Sequence, residues 1–237
     1  MFPIGDENAG TILRPVVNWT LIGLCVAVFI FEWLMPPGQL EAFFFQFGVI
    51  PAEVSRFQDL FTLITSMFLH GGLAHIFGNM VFLLVFGDNI EDALGHVSYL
   101  LFYLVCGVAA ALTQVVLNPA STIPLIGASG AISGVMGAYI VLFPHGKVRT
   151  LVFYQVLLVP AWVMIGIWFA LQLFSGFASL GDQSDGGVAF WAHVGGLVAG
   201  ALLVWLFRDK DAVARQNAVR DQHRSWARVP GGRSRRA

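Results

Sequence analysis

The chain contains long runs of apolar residues, and these runs decide what it can fold into. A helix needs roughly 20 apolar residues to cross a hydrocarbon layer about 30 Å thick. Six segments reach or approach this length, at residues 16–35, 73–89, 97–117, 129–143, 151–177 and 188–207. Because the chain is also 57% hydrophobic and only 11% charged, we predict an all-α polytopic membrane protein, a bundle of six transmembrane helices.

Two of the six segments carry further expectations. The fourth holds 15 residues, which as a helix would reach only about 22 Å and could not cross the hydrocarbon. We therefore expect this short fourth helix to start inside the membrane, after an irregular loop that dips in beside a water-filled cavity. The second segment also allows another interpretation, as one long span from Leu60 with a polar interruption at residues 70–72.

The basic residues predict an orientation, because Lys and Arg concentrate in cytoplasmic loops. Six spans would put both chain ends on one side, and that side holds most basic residues, namely Arg14, Lys147, Arg149 and nine in residues 208–237. The opposite side has Arg56 alone. We therefore predict a cytoplasmic N-terminal segment at 1–15, a membrane domain at 16–207 and a basic, disordered cytoplasmic tail at 208–237. The tail is expected to meet anionic lipid rather than nucleic acid.

Four polar residues fall inside the predicted spans at a similar depth. Ser129 opens the fourth segment, His75 and Asn79 lie near the outer start of the second, and His193 lies just inside the sixth. His75 and Asn79 are four residues apart and so share one helix face. Polar side chains at such positions are costly and usually face a cavity or the bundle interior. We therefore expect the four to form one site in a wet pocket that opens outward.

Small residues predict which helices pack around this site. Gly130 and Gly134 form a G-x-x-x-G pair on the fourth span, and Gly196 and Gly200 form another on the sixth. Such faces let transmembrane backbones approach closely. Together with Gly127, just before the serine, they are expected to bring Ser129 within hydrogen-bond reach of His193.

These residue types fit acyl transfer. An imidazole can take the proton of a serine hydroxyl and so activate it as a nucleophile. The developing oxyanion needs donors, and the backbone N–H of Ser129 at a helix N-terminus can supply one. The side chains of His75 and Asn79 can supply others. No carboxylate is placed to complete a triad, so we predict a Ser-His dyad with Ser129 as nucleophile and His193 as base.

The sequence lacks the residues that other mechanisms of peptide cleavage inside a membrane require. The stretch "HGGLAH" has neither the spacing nor the glutamate of a zinc-binding H-E-x-x-H motif, and we expect no metal and no cofactor. Asp88 and Asp92 fall at the end of a span rather than forming an intramembrane aspartyl pair. Glu32, near the outer end of the first span, is expected to reach toward the membrane surface.

Four stretches together resemble the rhomboid family of intramembrane serine proteases. They are "HIFGN" at residues 75–79, "FGDNIEDALG" at 86–95, "GASG" at 127–130 and "AHVGGLVAG" at 192–200, in the same order as in the family. The resemblance runs from about residue 60 to 207. It implies a six-helix bundle that cleaves single-pass transmembrane substrates near their outer ends, with Ser129 as nucleophile, His193 as general base, and His75 and Asn79 as oxyanion donors.

The resemblance also implies roles for two larger segments. The first external loop, residues 36–72, would be a partly embedded helical hairpin. The aromatic-rich fifth span would be the lateral substrate gate, through Phe153, Trp162, Trp168, Phe169, Phe174 and Phe177. The chain departs from the family in two places. Ser133 stands one turn after the nucleophile where many members have an aromatic residue that stacks on the histidine, and the first loop lacks a Trp-Arg pair.

The predicted function is therefore an intramembrane serine endopeptidase in a bacterial plasma membrane, with the lipid bilayer and single-pass substrates as partners. The alternative is a catalytically silent rhomboid-like protein, a pseudoprotease or chaperone, that binds transmembrane helices in the same groove. A small transporter is disfavoured, because no second half resembles the first and no charged pathway crosses the bundle. The oligomeric state is left open.

Overall fold

The computed structural model describes residues 2–6, 10–178 and 190–227. Within them the chain is mainly helical. The α-helices, in chain order, are α1 (Val16–Trp33), α2 (Pro37–Phe47), α3 (Pro51–Val54), α4 (Thr62–Thr65), α5 (Leu73–Leu94), α6 (His96–Leu117), α7 (Ser129–Leu142), α8 (Ala161–Ala178), α9 (Phe190–Phe207) and α10 (Lys210–Ala227). A 3₁₀ turn at Ser66–Phe68 follows α4, and the strands are β1 (Phe2–Asp6), β2 (Lys147–Val152) and β3 (Gln155–Pro160).

Four of these helices, α1, α5, α6 and α9, are long and apolar enough to cross a membrane. α7 and residues 161–171 of α8 are shorter apolar helices. The chain is thus a multi-pass membrane protein, while a full count of six crossings stays a prediction. The alternative of one span from Leu60 is wrong, because α5 begins at Leu73, after Gly72, and separate short helical turns occupy residues 62–68.

α7 lies at the centre of the bundle. Every residue from Ala131 to Tyr139 is buried, because α5, α6, α8 and α9 all pack against this helix. A helix that is apolar on all sides is expected in such a position. The first residue of α7 is Ser129, so the packing of four neighbours fixes where this serine lies. We call this end of the bundle the Ser129 end, and the opposite end, which carries β1 and α10, the terminal end.

The predicted start of the fifth span at residue 151 is wrong. Residues 147–160 form an antiparallel hairpin, β2 and β3, and β1 from the N-terminal segment adds a third strand in the order β1-β2-β3. α8 begins only at Ala161. Hydropathy does not separate apolar strand residues from apolar helix residues, whereas Pro160 at the strand end and the Val-rich run before it favour a strand followed by a helix start.

The predicted disorder of the basic tail is also wrong for residues 210–227, which form α10. Gln216 and Arg220, one turn apart, are buried and bind the end of α5: Gln216 Nε2 donates to Asp92 Oδ2 at 2.7 Å, and Arg220 Nη2 donates to Asn89 Oδ1 at 2.6 Å. These polar contacts hold a helix whose composition alone indicates a solvated segment. Residues 228–237 of the predicted tail, and 188–189 of the sixth span, lie outside the described residues.

Candidate active site

The loop before α7 is held in place by backbone hydrogen bonds to the segment between α1 and α5. Val49 and Leu125 bond to each other in both directions, at 3.0 and 2.8 Å, and the N–H of Gly127 donates to the carbonyl of Ser66 at 2.8 Å. The segment at residues 36–72 contains α2, α3, α4 and the 3₁₀ turn, and its expected partial embedding in the membrane stays a prediction. Its role in the fold is to fix the irregular backbone that leads into Ser129.

Ser129 and His193 lie within hydrogen-bond distance at the Ser129 end. The distance between Ser129 Oγ and His193 Nε2 is 2.7 Å. With the ring proton on Nδ1, the serine hydroxyl donates to Nε2. His193 is 9% exposed and Ser129 is half-buried, so the pair lies at the edge of the protein interior rather than on an open surface.

The glycine faces of α7 and α9 bring these two side chains together. A side chain at Gly196 would overlap the carbonyl oxygen of Gly130, and one at Gly200 would overlap that of Gly134. The two helix backbones are therefore closer than any larger residue would allow. His193 lies one turn before Gly196 on α9, and this close approach sets its distance from Ser129.

Gly127 lines a narrow space between His75 and the serine, too small for a side chain on this residue. A Cβ at this residue would lie 2.7 Å from His75 Nε2 and 3.7 Å from Ser129 Oγ, and its φ of +124° is one that glycine adopts readily. The N–H of Gly71 donates to His75 Nδ1 at 3.3 Å, so the ring proton is on Nε2, which faces this space. A substrate carbonyl placed there would meet both a donor and the nucleophile.

Asn79 lies one turn after His75 on α5. It is 8% exposed, and its Nδ2 has no hydrogen-bond partner among the described residues. Buried donors are rarely left unpaired, and an unpaired one calls for a functional explanation. An amide N–H₂ that is kept unpaired in the resting protein can bind an oxyanion that forms later.

Two buried polar residues, Glu32 and His70, contact each other next to His75. Glu32 is 2% exposed, and its two carboxylate oxygens accept the backbone N–H of His70, each at 3.2 Å. The expectation that Glu32 reaches the surface is therefore wrong, because the carboxylate satisfies a buried backbone donor. The His70 ring contacts that of His75 with centroids 5.2 Å apart. Burial, and then the neighbouring His75, lower the pKa of His70 to about 4, so it is neutral at pH 7.

Trp168 on α8 contacts the His193 ring, and the sequence reasoning did not identify this role. The ring centroids are 5.6 Å apart, with an interplanar angle of 43°. Ser133, one turn after Ser129 on α7, is fully buried and donates to the carbonyl of Ser129 at 2.6 Å. The aromatic neighbour of His193 therefore comes from a different helix. Only the abundance of aromatic residues on the fifth span could have indicated it.

A small cavity of about 20 Å³ adjoins the serine. Glycine and alanine supply much of its wall, and the residues that line it include Ser66, Gly107, Ala110, Ser129 and Ala131. A space of this size holds about one water-sized group. It can therefore accept a water molecule or a small side chain next to the nucleophile.

A family model described as "Rhomboid domain" matches residues 58–210, which include Ser129, His193, His75 and Asn79. Three relatives illustrate the range of matches. "Rhomboid-like protein 11, chloroplastic" from Arabidopsis thaliana is 29% identical over 64% of this chain and 54% of its own length. "Rhomboid protein 1, mitochondrial" from Saccharomyces cerevisiae is 29% identical over 86% of this chain and 56% of its own. "Rhomboid protease AarA" from Providencia stuartii is 28% identical over 78% and 69%.

The chain spans about half the length of the first two relatives. By their names, the relatives include chloroplast and mitochondrial proteins as well as a protease from a bacterium, so similarity does not single out a bacterial plasma membrane. The family model covers well over half of the chain, and the motifs lie on helices in the expected order. The chain therefore belongs to the rhomboid family.

Proposed function

We propose that this protein is an intramembrane serine endopeptidase in which Ser129 and His193 form the catalytic dyad. The observation that carries the proposal is the 2.7 Å distance between Ser129 Oγ and His193 Nε2 at the start of a 14-residue apolar helix. Such a helix, about 21 Å long, does not span the hydrocarbon. The hydroxyl and its base therefore lie below the membrane surface, where substrate helices reach them.

The proposed reaction proceeds through an acyl-enzyme. Ser129 Oγ attacks the carbonyl carbon of the scissile peptide bond while His193 Nε2 takes the hydroxyl proton. The tetrahedral intermediate collapses, its C–N bond breaks, and His193 gives the proton to the leaving amine. Water then attacks the ester, again with His193 as base, and the carboxylic acid product leaves Ser129 as a free hydroxyl. The oxyanion of each intermediate is bound by Asn79 Nδ2, His75 Nε2 and the N–H of Ser129.

The proposed substrates are single-pass transmembrane proteins. Their helix would enter sideways between α5 and α8, where Phe82 and Trp168 contact each other with ring centroids 6.5 Å apart. An intact helix hides its carbonyls, so the cleaved segment should contain helix-weakening residues. The cavity of about 20 Å³ beside Ser129 favours a small side chain next to the cleaved bond. We place the chain ends on the side rich in Lys and Arg, and the cleavage site near the opposite surface.

A cleavage assay tests this proposal against the binding-only alternative. The purified protein is reconstituted in vesicles with a reporter whose single transmembrane helix carries an Ala-Gly pair near its outer end, and the products are analysed by mass spectrometry. We expect one cut within the helix, and none when the pair is replaced by Leu-Leu. A reporter that binds stably and remains intact would contradict the protease assignment and favour a chaperone-like protein.

We further expect Trp168 to position the imidazole. Replacing Trp168 by alanine should lower kcat about 3- to 10-fold, which corresponds to the loss of one aromatic contact, while Trp168→Phe should retain most of the activity. KM is measured in parallel, since a purely gating role would change KM and leave kcat unaltered. Trp162→Ala is the matched control, because Trp162 lies on the same helix and is 57% exposed. Equal kcat values for the Trp168→Ala and Trp162→Ala variants would contradict a positioning role.

A further inference from the structure

The β2–β3 hairpin ends in an aromatic turn that is unusual for a water-exposed hairpin. Phe153 and Tyr154 connect the strands and are 90% and 99% exposed. Phe153 also has a φ of 52°, in the left-handed region that glycine and asparagine adopt most readily. Two-residue turns in water favour Asn-Gly for this reason. The chain instead keeps a large apolar side chain at a backbone position that disfavours it.

The strand register shows that the outward face of the hairpin is also apolar. Leu151 pairs with Val156, and Arg149 pairs with Leu158, so these four side chains share one face. Their alternates on β2, Val148 and Thr150, are fully buried and face the bundle. On the outward face Leu151, Val156 and Leu158 are 37%, 54% and 57% exposed. A monomeric soluble protein rarely leaves so continuous an apolar surface open.

The position of the hairpin indicates what covers this surface. β2 follows the end of α7, and β3 leads into α8 at Ala161, whose N–H donates to the carbonyl of Gly146 at 2.8 Å. The hairpin therefore lies where two apolar helices reach the membrane surface. The helix that follows also exposes large apolar side chains, with Trp162 and Ile167 57% and 46% exposed. Lys147 lies at the base of the outward face of the hairpin and Arg149 midway along β2, opposite Leu158, both on the side away from the aromatic tip.

We propose that the β2–β3 hairpin is a membrane-anchoring element whose tip, Phe153 and Tyr154, and outward face insert into the headgroup–acyl boundary of the leaflet at the terminal end. The apolar tip meets the lipid chains, and the two basic side chains of β2 reach lipid phosphates. The partner is thus the lipid bilayer itself, with a preference for anionic headgroups. Insertion also covers the apolar side chains of β3, an edge strand of the three-stranded sheet, which would otherwise invite pairing between copies.

Spin-label depth measurements test the location of the tip. A nitroxide is attached to the cysteine of the Tyr154→Cys variant, and the labelled protein is reconstituted in vesicles of phosphatidylcholine and phosphatidylglycerol in equal parts. The matched control is Ala218→Cys, at an exposed position on α10. Cys25 and Cys106 are fully buried. A labelling reaction on the unsubstituted protein shows how much nitroxide they take up. We expect the Tyr154 label to be reached by oxygen more than by a water-soluble nickel chelate, and the Ala218 label to show the opposite. A tip label as accessible to nickel as the control would overturn the proposal.

A replacement of the turn separates anchoring by lipid from the intrinsic stability of the turn, because the two predict opposite changes in the rate of amide exchange. Phe153→Gly with Tyr154→Asn places glycine at the position whose φ is positive, as two-residue hairpin turns in water prefer. Amides of β2 and β3 would then exchange with deuterium more slowly if the tip were in water. If lipid holds the tip, the same change removes both aromatic side chains of the anchor, and exchange in vesicles should be at least about tenfold faster, since burial of even one such side chain in an apolar environment contributes that much. Slower exchange in the variant would overturn the proposal.

Discussion

Replacing Ser129 by alanine, or His193 by alanine, is expected to abolish cleavage, with a fall in kcat of about 10⁴-fold or more. The two residues are hydrogen-bonded at 2.7 Å, and in the proposed mechanism they act in one proton transfer. Removing either therefore removes the whole activated nucleophile, and the double variant should be hardly slower than the single ones. The measurement is kcat for a transmembrane reporter in vesicles, with all variants checked for folding by thermal unfolding.

The chain offers a matched control for the serine change. Ser133 lies one turn further along α7, is fully buried, and donates to the carbonyl of Ser129 at 2.6 Å. Ser133→Ala removes the same hydroxyl group from the same helix without touching the proposed proton transfer, so activity should largely persist. A double Ser129→Ala/His193→Ala variant that is far slower than either single one would mean that the residues act independently, contrary to the dyad.

Asn79→Ala is expected to lower kcat about 10²- to 10³-fold with a smaller effect on KM, as for the loss of one oxyanion donor. Asn79 Nδ2 is buried and has no partner among the described residues, so its hydrogen bond would form only when charge develops on the substrate oxygen. A donor used only in the transition state affects kcat.

The same reasoning predicts the stability of the Asn79 variant. Because the resting protein makes no described hydrogen bond through Asn79 Nδ2, Asn79→Ala should unfold at nearly the wild-type temperature. Glu32→Ala is the contrasting variant, since it leaves the buried N–H of His70 without its acceptor and should destabilise the fold. A large drop in the unfolding temperature of Asn79→Ala, in proportion to its loss of activity, would indicate a structural role instead.

The site residues could be chosen from the sequence because each leaves a local signature. The apolar run that opens at Ser129 predicts a short helix starting at this serine, and α7 begins there. Two glycine pairs with four-residue spacing predict which helices approach closely, and the structure brings those faces into contact. Histidine and asparagine within apolar helices are conspicuous because the membrane disfavours them.

The features missed depend on contacts between distant parts of the chain. Trp168 contacts His193, but nothing in the local sequence distinguishes it from the other aromatic residues of the same span. Glu32 satisfies the backbone of a residue 38 positions away, whereas hydropathy treats it as a charge near a span end. The polar composition of α10 indicates a solvent-exposed segment, but Gln216 and Arg220 form hydrogen bonds with the end of α5. Strand β1 pairs with β2, which lies more than 140 residues away. A short stretch of sequence therefore does not indicate this pairing.

Covalent labelling shows whether His193 activates Ser129. The purified protein is treated with a fluorophosphonate, which reacts with activated serines, and the adduct is located by mass spectrometry in the wild type and in the His193→Ala and Ser133→Ala variants. We expect a single adduct on Ser129 in the wild type and in Ser133→Ala, and almost none in His193→Ala. Folded wild-type protein that carries no adduct on Ser129, or equal labelling of Ser129 when His193 is absent, would contradict the proposed dyad.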